Sequence, residues 1–310
     1  MSRARRPRLA PRARTRGIAF VLVLWVIAML AILLGSFSLV ARTENLQSRH
    51  LFDTTQARYA AEAGLNLAVY ELRKQDPAER WIGDGRPYRF GYGDAEIEVS
   101  ITDDSGKIDI NAAANNADLL TNLFVTRGVP LDKAQALSDA VQDWIDPDDT
   151  TRPNGAEIAQ YKAAGLSYGP KNAPFDTVSE LQQVLGMTYD LYEKIEPGIT
   201  IYSGRSTPSA SFADPDALRA LYPDASPEQI DQLVQQIRSQ VPGTQGQAPV
   251  LAPDGSPVVA GGGGLTYSVK SRAKLPNGAS TVLDATIRMG GVSTAGRPFV
   301  ILRWRDGETS

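Results

Sequence analysis

Residues 16–41 read RGIAFVLVLWVIAMLAILLGSFSLVA, and from Ile18 to the end of that stretch no position is charged. As an α-helix the 24 uncharged residues reach roughly 36 Å at about 1.5 Å per residue, enough to cross a hydrocarbon core about 30 Å thick. Ahead of them stand seven arginines (Arg3, Arg5, Arg6, Arg8, Arg12, Arg14, Arg16) and no acid. A basic flank keeps its end of a spanning helix in the cytoplasm, so everything after Arg42 is expected outside it. A secretory signal peptide has an apolar region of about 7–15 residues with a small-residue cut site behind it, and this run is longer. Two readings remain: a permanent anchor that keeps its basic head, or a leader removed in front of the apolar run.

The tripeptide Arg16-Gly17-Ile18, a basic leader ending in glycine directly before an uninterrupted apolar helix, resembles the processing site of the type IV prepilin peptidases. The resemblance implies a prepilin leader over 1–17, cleavage after Gly17, N-methylation of Ile18 and a transmembrane helix over 18–41. Glycine leaves the peptide bond open to close approach. Past the membrane, Phe52, Tyr59, Ala63, Leu67 and Tyr70 recur at intervals of seven, four, four and three, one face of a continuing helix. Arg58, Glu62 and Arg73 are expected on the opposite face. Pro77 and the turn glycines Gly83 and Gly85 end the helix, which gives a periplasmic extension over 42–76 whose outer half packs on a sheet. Most pilin-like subunits carry a glutamate five residues into the mature chain, where it pairs with the amine of the neighbouring subunit. Counting from Ile18, the fifth residue here is Leu22. A carboxylate unpaired in the membrane costs a few kcal/mol, so a subunit with nothing above it does better without one.

Charge and rare residues exclude several functions. Of 32 basic residues seven lie in the head, leaving 25 against 35 acids, a net of −10 for the rest. An acidic body lacks the Lys and Arg needed to neutralise phosphates, so no nucleic-acid partner is expected. There is no cysteine and a single histidine, His50, which rules out disulfides, thiolate chemistry and His-rich zinc sites. His50, beside Arg49 just past the apolar run, reads as an interfacial residue.

The body reads as α+β. Glu96-Ile97-Glu98-Val99-Ser100-Ile101 alternates with period two, and Asp104-Ser105-Gly106 turns before Lys107-Ile108-Asp109-Ile110. Strand patterns return over 265–305, broken by a turn at Pro276-Asn277-Gly278. One small antiparallel sheet over 87–111 and 265–305 is expected to pack on the anchor helix. Between its halves an all-α insertion over 112–240 is expected, with helices near 116–127, 131–145, 155–165, 176–186, 188–195, 214–221 and 226–239. Residues 241–264, rich in Pro and Gly, read as a flexible loop.

The order of motifs carries a closer likeness. Ser105-Gly106-Lys107-Ile108-Asp109-Ile110-Asn111 leads to Asp139, Asp143-Trp144-Ile145-Asp146-Pro147-Asp148-Asp149, then Arg152-Pro153-Asn154-Gly155-Ala156-Glu157, Tyr161, Tyr168 and Asn172-Ala173-Pro174-Phe175. Val178-Ser179-Glu180-Leu181, Gly186-Met187-Thr188, Leu191-Tyr192 and Ile199-Thr200-Ile201-Tyr202 follow. From the leader to about residue 204 this resembles the general secretion pathway protein K family, the K-type minor pseudopilins of type II secretion. The resemblance implies a pilin-like fold and a tip position in the pseudopilus. It further implies I- and J-type minor pseudopilins, the major pseudopilin, the prepilin peptidase and the inner membrane as partners. A minor pilin of a type IV pilus, in adhesion or DNA uptake, and a plain single-pass anchored binding protein stay open as alternatives.

Asp143, Asp146, Asp148 and Asp149, followed by Asn154 and Glu157, offer oxygen ligands that suit calcium rather than zinc. Asp146, Asp148, Asn154 and Glu157 fall at positions 1, 3, 9 and 12 of a calcium loop. Thr151 stands where an EF-hand needs glycine, with Thr150 before it, so this is no EF-hand. Spacing alone favours a solvated turn in which Asp146 and Asp148 cap helices. The family resemblance implies calcium in the α-domain, with Asp146, Asp148, Asp149, Asn154 and Glu157 as the candidate ligands. The paired helices around Gly186-Met187-Thr188 and Pro223-Asp224-Ala225-Ser226 resemble helix-hairpin-helix or SAM-like modules. Their neighbours Asp190, Glu193, Glu196, Asp224 and Glu228 suit packing, not DNA phosphates. Neither Glu180 nor Asp146 has a nucleophile or base beside it in the pattern, so no enzyme is expected.

Overall fold

The computed structural model describes residues 16–240, 248–258, 263–290 and 296–307. Most of the expected leader lies outside these residues, as do 241–247 and 259–262 of the expected loop. One helix, α1 (Arg16–Leu72), holds the whole apolar run. The chain divides inside it, after Thr55. In the first unit the side chains of Phe20, Trp25, Ile32 and Phe37 are all exposed. A helix this long and apolar is able to cross a membrane by its length and composition.

In the second unit α1 is spent on a sheet. Ala57, Ala60, Ala61, Leu65, Ala68, Val69 and Leu72 are buried, a stripe of mostly small side chains at helical spacing. Gly64 lies on the same face. A Cβ there would overlap Ser271 Oγ and sit 3.0 Å from Ile97 Cγ2 and Val99 Cγ2, so the absent side chain lets backbone approach strand closely. The helix stops at Leu72, four residues ahead of Asp76, where Pro77 disfavours helical geometry. Asp76 Oδ1 accepts from the Ala78 N–H, and Arg80 Nε donates to the Lys74 carbonyl.

The sheet has five antiparallel strands in the order β1 (Asp84–Tyr92), β2 (Ala95–Asp103), β7 (Thr266–Lys274), β8 (Ser280–Arg288), β9 (Val300–Gly307). Alternation in β2 buries Ala95, Ile97, Val99 and Ile101 against α1, as period two demands. The expected turn at Pro276-Asn277-Gly278 joins β7 to β8, with Gly278 at φ +91°. Residues 107–110 do not join this sheet. Instead β3 (Ile108–Asp109) pairs in parallel with β4 (Ile199–Thr200), because Ile108 and Ile110 belong to the core of the insertion.

The insertion contains α2 (Ala117–Val125), α3 (Leu131–Ile145), α4 (Ile158–Ala163), a 3₁₀ turn over Val178–Gln183, α5 (Tyr189–Ile195), α6 (Pro215–Leu221) and α7 (Pro227–Ser239). Helices expected over 155–165 and 176–186 are shorter. Gly165, at φ +80°, ends the first. The second is a 3₁₀ turn whose Glu180 Oε1 accepts from the Thr177 N–H. Part of the loop expected over 241–264 is ordered as a hairpin: β5 (Val250–Leu251) pairs with β6 (Pro257–Val258). Val250, Ala252 and Val258 bury against Leu218, Ile230 and Leu233, and that apolar gain outweighs the local Pro/Gly content.

Candidate functional site

Two places bear the residues singled out in the sequence: the outer face of α1 and the acidic loop after α3. On α1, Tyr59 and Tyr70 are 65% and 64% exposed, Ala63 and Leu67 are half-buried, and Phe52, in the first unit, is exposed. This stripe points away from the buried alanines and is not the face that packs on the sheet. Arg58 and Glu62 pair with each other at 3.3 Å, and Arg58 reaches Asp306 on β9 at 3.4 Å, which puts these charges on the flank of the helix instead of opposite the stripe. Leu22 is exposed within the apolar run. For Gly17 and Ile18 the backbone is helical.

The acidic loop is built on the C-terminal end of α3. Asp143 is fully buried, and Asp146 caps the end of the helix. Arg152 Nη1 donates to Asp143 Oδ1 at 2.6 Å and also to Asp146 Oδ2, while its backbone N–H reaches Asp143 Oδ2. Gly155 is required beside them, since a Cβ there would overlap the Asp143 carboxylate. Asp148 Oδ1 accepts from the Thr150 N–H at 2.8 Å, which holds its carboxyl below the usual range. Asp149 Oδ1 accepts from Asn172 Nδ2 at 3.0 Å, and Asn172 itself sits in the left-handed region at φ +53°. Asn154 turns outward, its N–H and Nδ2 donating to Asp139 Oδ2. Asp146 and Asp148 therefore cap no helix N-terminus; that place before α4 is taken by Glu157.

Glu157 is the unusual member. It is 3% exposed, and neither carboxylate oxygen has a hydrogen-bond partner. Burial, and then the charges of Asp143, Asp146, Asp149 and Asp148, push its carboxyl up to about 7. Asp146 Oδ1 and Asn172 Oδ1 are likewise buried without a donor. Three such oxygens on the loop after α3 and one on Asn172 beyond α4 leave an excess of acceptors, and hard cations take oxygen donors of this kind. Among the described residues no three His, Cys, Asp or Glu side chains are gathered as a ready metal cluster, and Arg152 pairs with Asp143 and Asp146. The oxygens left without a donor belong to Glu157, Asp146 and Asn172, and Asn154 stands apart. Sequence reading had Asp143 in the acidic stretch without assigning it, and Asn172 only as part of a motif.

Three further acids, not singled out in the sequence, fasten the insertion to the sheet. Asp103 Oδ1 accepts from the Ser105 N–H and Oδ2 from the Gly264 N–H, and burial raises its carboxyl. Asp104, 1% exposed, accepts from Lys107 Nζ, Ser268 Oγ and Thr200 Oγ1. Asp109 accepts from the N–H groups of Asn111, Ala112 and Gly204. Buried carboxylates persist where donors surround them.

A helix long and apolar enough to cross a membrane that continues as the spine of an antiparallel sheet, with a helical insertion between the strands, defines a pilin-like fold. The comparisons narrow that class. Residues 99–204 match the family model of "Type II secretion system (T2SS), protein K". Type II secretion system protein K of Klebsiella pneumoniae is 30% identical over 203 residues, 59% of this chain and 62% of that protein. Its counterpart in Pectobacterium carotovorum subsp. carotovorum is 26% identical over 207 residues, 60% of this chain and 62% of that protein. The matches to these curated relatives span 62% of their length. The fold is similar to a chain in the crystal structure of the GspK-GspI-GspJ complex of the enterotoxigenic Escherichia coli Type 2 Secretion System, at TM-score 0.57 and 20% identity. That likeness covers 87% of this chain and 99% of the other.

Proposed function

We propose that the chain is a minor pseudopilin at the tip of the type II secretion pseudopilus, where it initiates or caps assembly for export of folded proteins. Its role is mechanical and not enzymatic. The observation that carries the reading is the two-faced second half of α1: small residues are consumed by the sheet, while Tyr59, Ala63, Leu67 and Tyr70 are left facing outward. Burying such a stripe on partner helices returns about 25 cal/mol per Å² of apolar surface. I- and J-type minor pseudopilins are the partners, as the complex formed by the solved structural neighbour suggests. The helix is anchored in the inner membrane with its arginine-rich end cytoplasmic and the body periplasmic. A leader ends at Gly17, and Ile18 becomes the methylated N-terminus. Leu22 suits a subunit with no neighbour ahead of it.

Calcium belongs to this reading as a structural ion of the acidic loop. Asp146, Glu157 and Asn172 supply free oxygens, and Asp143, Asp148 and Asp149 surround them with negative charge. The ion would relieve repulsion that Arg152 balances in part. Mass spectrometry of protein purified from secretion-competent cells tests the core of the proposal. A chain beginning at methylated Ile18 is expected; one that still begins with its arginine-rich head overturns it.

A further inference from the structure

The insertion and the sheet keep separate cores. Ile108, Leu123, Val141 and Ile195 belong to one buried apolar cluster and Ile97, Val99, Val269 and Ile287 to another, and among the described residues the two share no buried member. What lies between them is polar. A cleft of about 210 Å³ separates β4 and the turn Glu196–Gly198 from the face of β7, β8 and β9 that is turned away from α1. Asp104, Glu196 and Asp284 line it together with Lys107, Lys270 and Arg303. Both signs of charge therefore meet there, and the space has room for several waters at about 30 Å³ each.

The bonds that join the two parts are of two kinds. Asp104, 1% exposed, takes Lys107 Nζ at 3.0 Å, Ser268 Oγ at 2.7 Å and Thr200 Oγ1 at 2.9 Å, and Lys107 Nζ also donates to Ser268 Oγ at 2.7 Å. Arg288 Nη2 adds a bond to the Tyr202 carbonyl at 2.6 Å, and Phe212 shares a small cavity with Leu72, Trp81 and Tyr267. A buried charge held by several donors is costly to pull free. Ser268, Thr286 and Arg303 stand in one row across β7, β8 and β9, so the second set of bonds begins two strands away, about 10 Å off. There Glu196 Oε1 is shared by Arg303 Nη1, at 3.0 Å, and by Arg305 Nη2, while Arg303 Nη2 turns back to Asp284 Oδ2 at 2.9 Å. The side chains of Glu196, Arg303 and Arg305 are 23%, 24% and 54% exposed, and Arg303 Nε has no hydrogen-bond partner. Ion pairs this open to water hold weakly and are screened by salt.

Two parts with cores of their own move relative to each other unless a large apolar interface joins them. We propose that Glu196, Arg303 and Arg305 form an ionic latch, and that its opening lets the insertion tilt about the contacts around Asp104. The latch involves neither the α1 stripe nor the acidic loop, so it stands or fails independently of both. The chain has no cysteine, so spin labels at Glu96→Cys on β2 and Gln135→Cys on α3, both exposed positions, report the separation of sheet and insertion. The measurement is pulsed electron paramagnetic resonance on the full chain in detergent. At about 0.1 M salt one narrow distance distribution is expected. At about 1 M, where the screening length falls from about 10 to about 3 Å, its width should about double. Glu196→Gln should produce the same broadening at the lower salt, and so should Arg305→Gln, a change at an exposed side chain. Lys270→Gln, which removes a charge of the cleft outside the latch, should leave the width as it is. Far-ultraviolet circular dichroism should stay constant throughout, as both cores remain folded. A distribution already broad at low salt, or one that both latch variants and salt leave unchanged, would overturn the proposal. Equal widening by Lys270→Gln, or widening that comes only with loss of circular dichroism, would overturn it too.

Discussion

At the scale of single residues, Gly64 and Glu157 set the strongest constraints. Gly64→Val places a branched side chain against Ser271 Oγ, Ile97 and Val99. Overpacking of this kind costs about 1–3 kcal/mol, so thermal unfolding should shift several degrees lower, and adding Ser271→Ala should restore part of the loss. Glu157 gives a pH dependence. Its carboxyl is raised from 4.5 to about 7 in the folded chain, so between those values the folded state binds the extra proton. Stability should then be greatest at the acid end of that window and fall as pH rises through it, with calcium chelated. Glu157→Gln should flatten the curve; an unchanged slope would mean another group is responsible. In the sequence Glu157 stands out as a candidate ligand but not as a buried carboxyl, and Gly64 does not stand out at all. Glycine in a helix reads only as a weak helix former, and the burial of Glu157 depends on a fold that brings Asp143 and Asn172 to it.

At the scale of elements, period and punctuation were informative where one face of an element decides its fate. The strict alternation of Glu96 to Ile101 gave β2, and α3 runs over the expected 131–145. The apolar stripe of α1 was visible too, but the face used for packing was hidden because alanine and glycine carry little hydrophobic signal. Two-residue pairings such as β3 with β4, and the hairpin at 250–258, are fixed by partners far along the chain, so no local pattern announces them. The element-level prediction concerns the outward face. Tyr59→Asp should leave the stability of the protein within about 0.5 kcal/mol of wild type, as surface changes usually do. Co-purification with the I- and J-type subunits should fall sharply. Unaltered capture would remove this face as the contact.

For the whole molecule, charge divides the chain more clearly than folding does: a basic head, an uncharged rod and an acidic body. The acidity is concentrated where the loop after α3 collects Asp143, Asp146, Asp148, Asp149 and Glu157, and a divalent cation would stabilise the folded state by mass action. Adding calcium after chelation should raise Tm, by about 2.7 kcal/mol of stabilisation at a hundredfold excess over Kd, and Glu157→Gln should abolish most of the gain. A flat response would leave Arg152 as the only counter-charge of the loop.

The parallel pairing of Ile108–Asp109 with Ile199–Thr200 has a consequence for how such a protein changes over time. The chain departs for its excursion and comes home at neighbouring points, about 4.8 Å apart. Whatever is strung between those points hangs from a closed clasp. It can be lengthened, trimmed or exchanged while the strands on either side keep their partners.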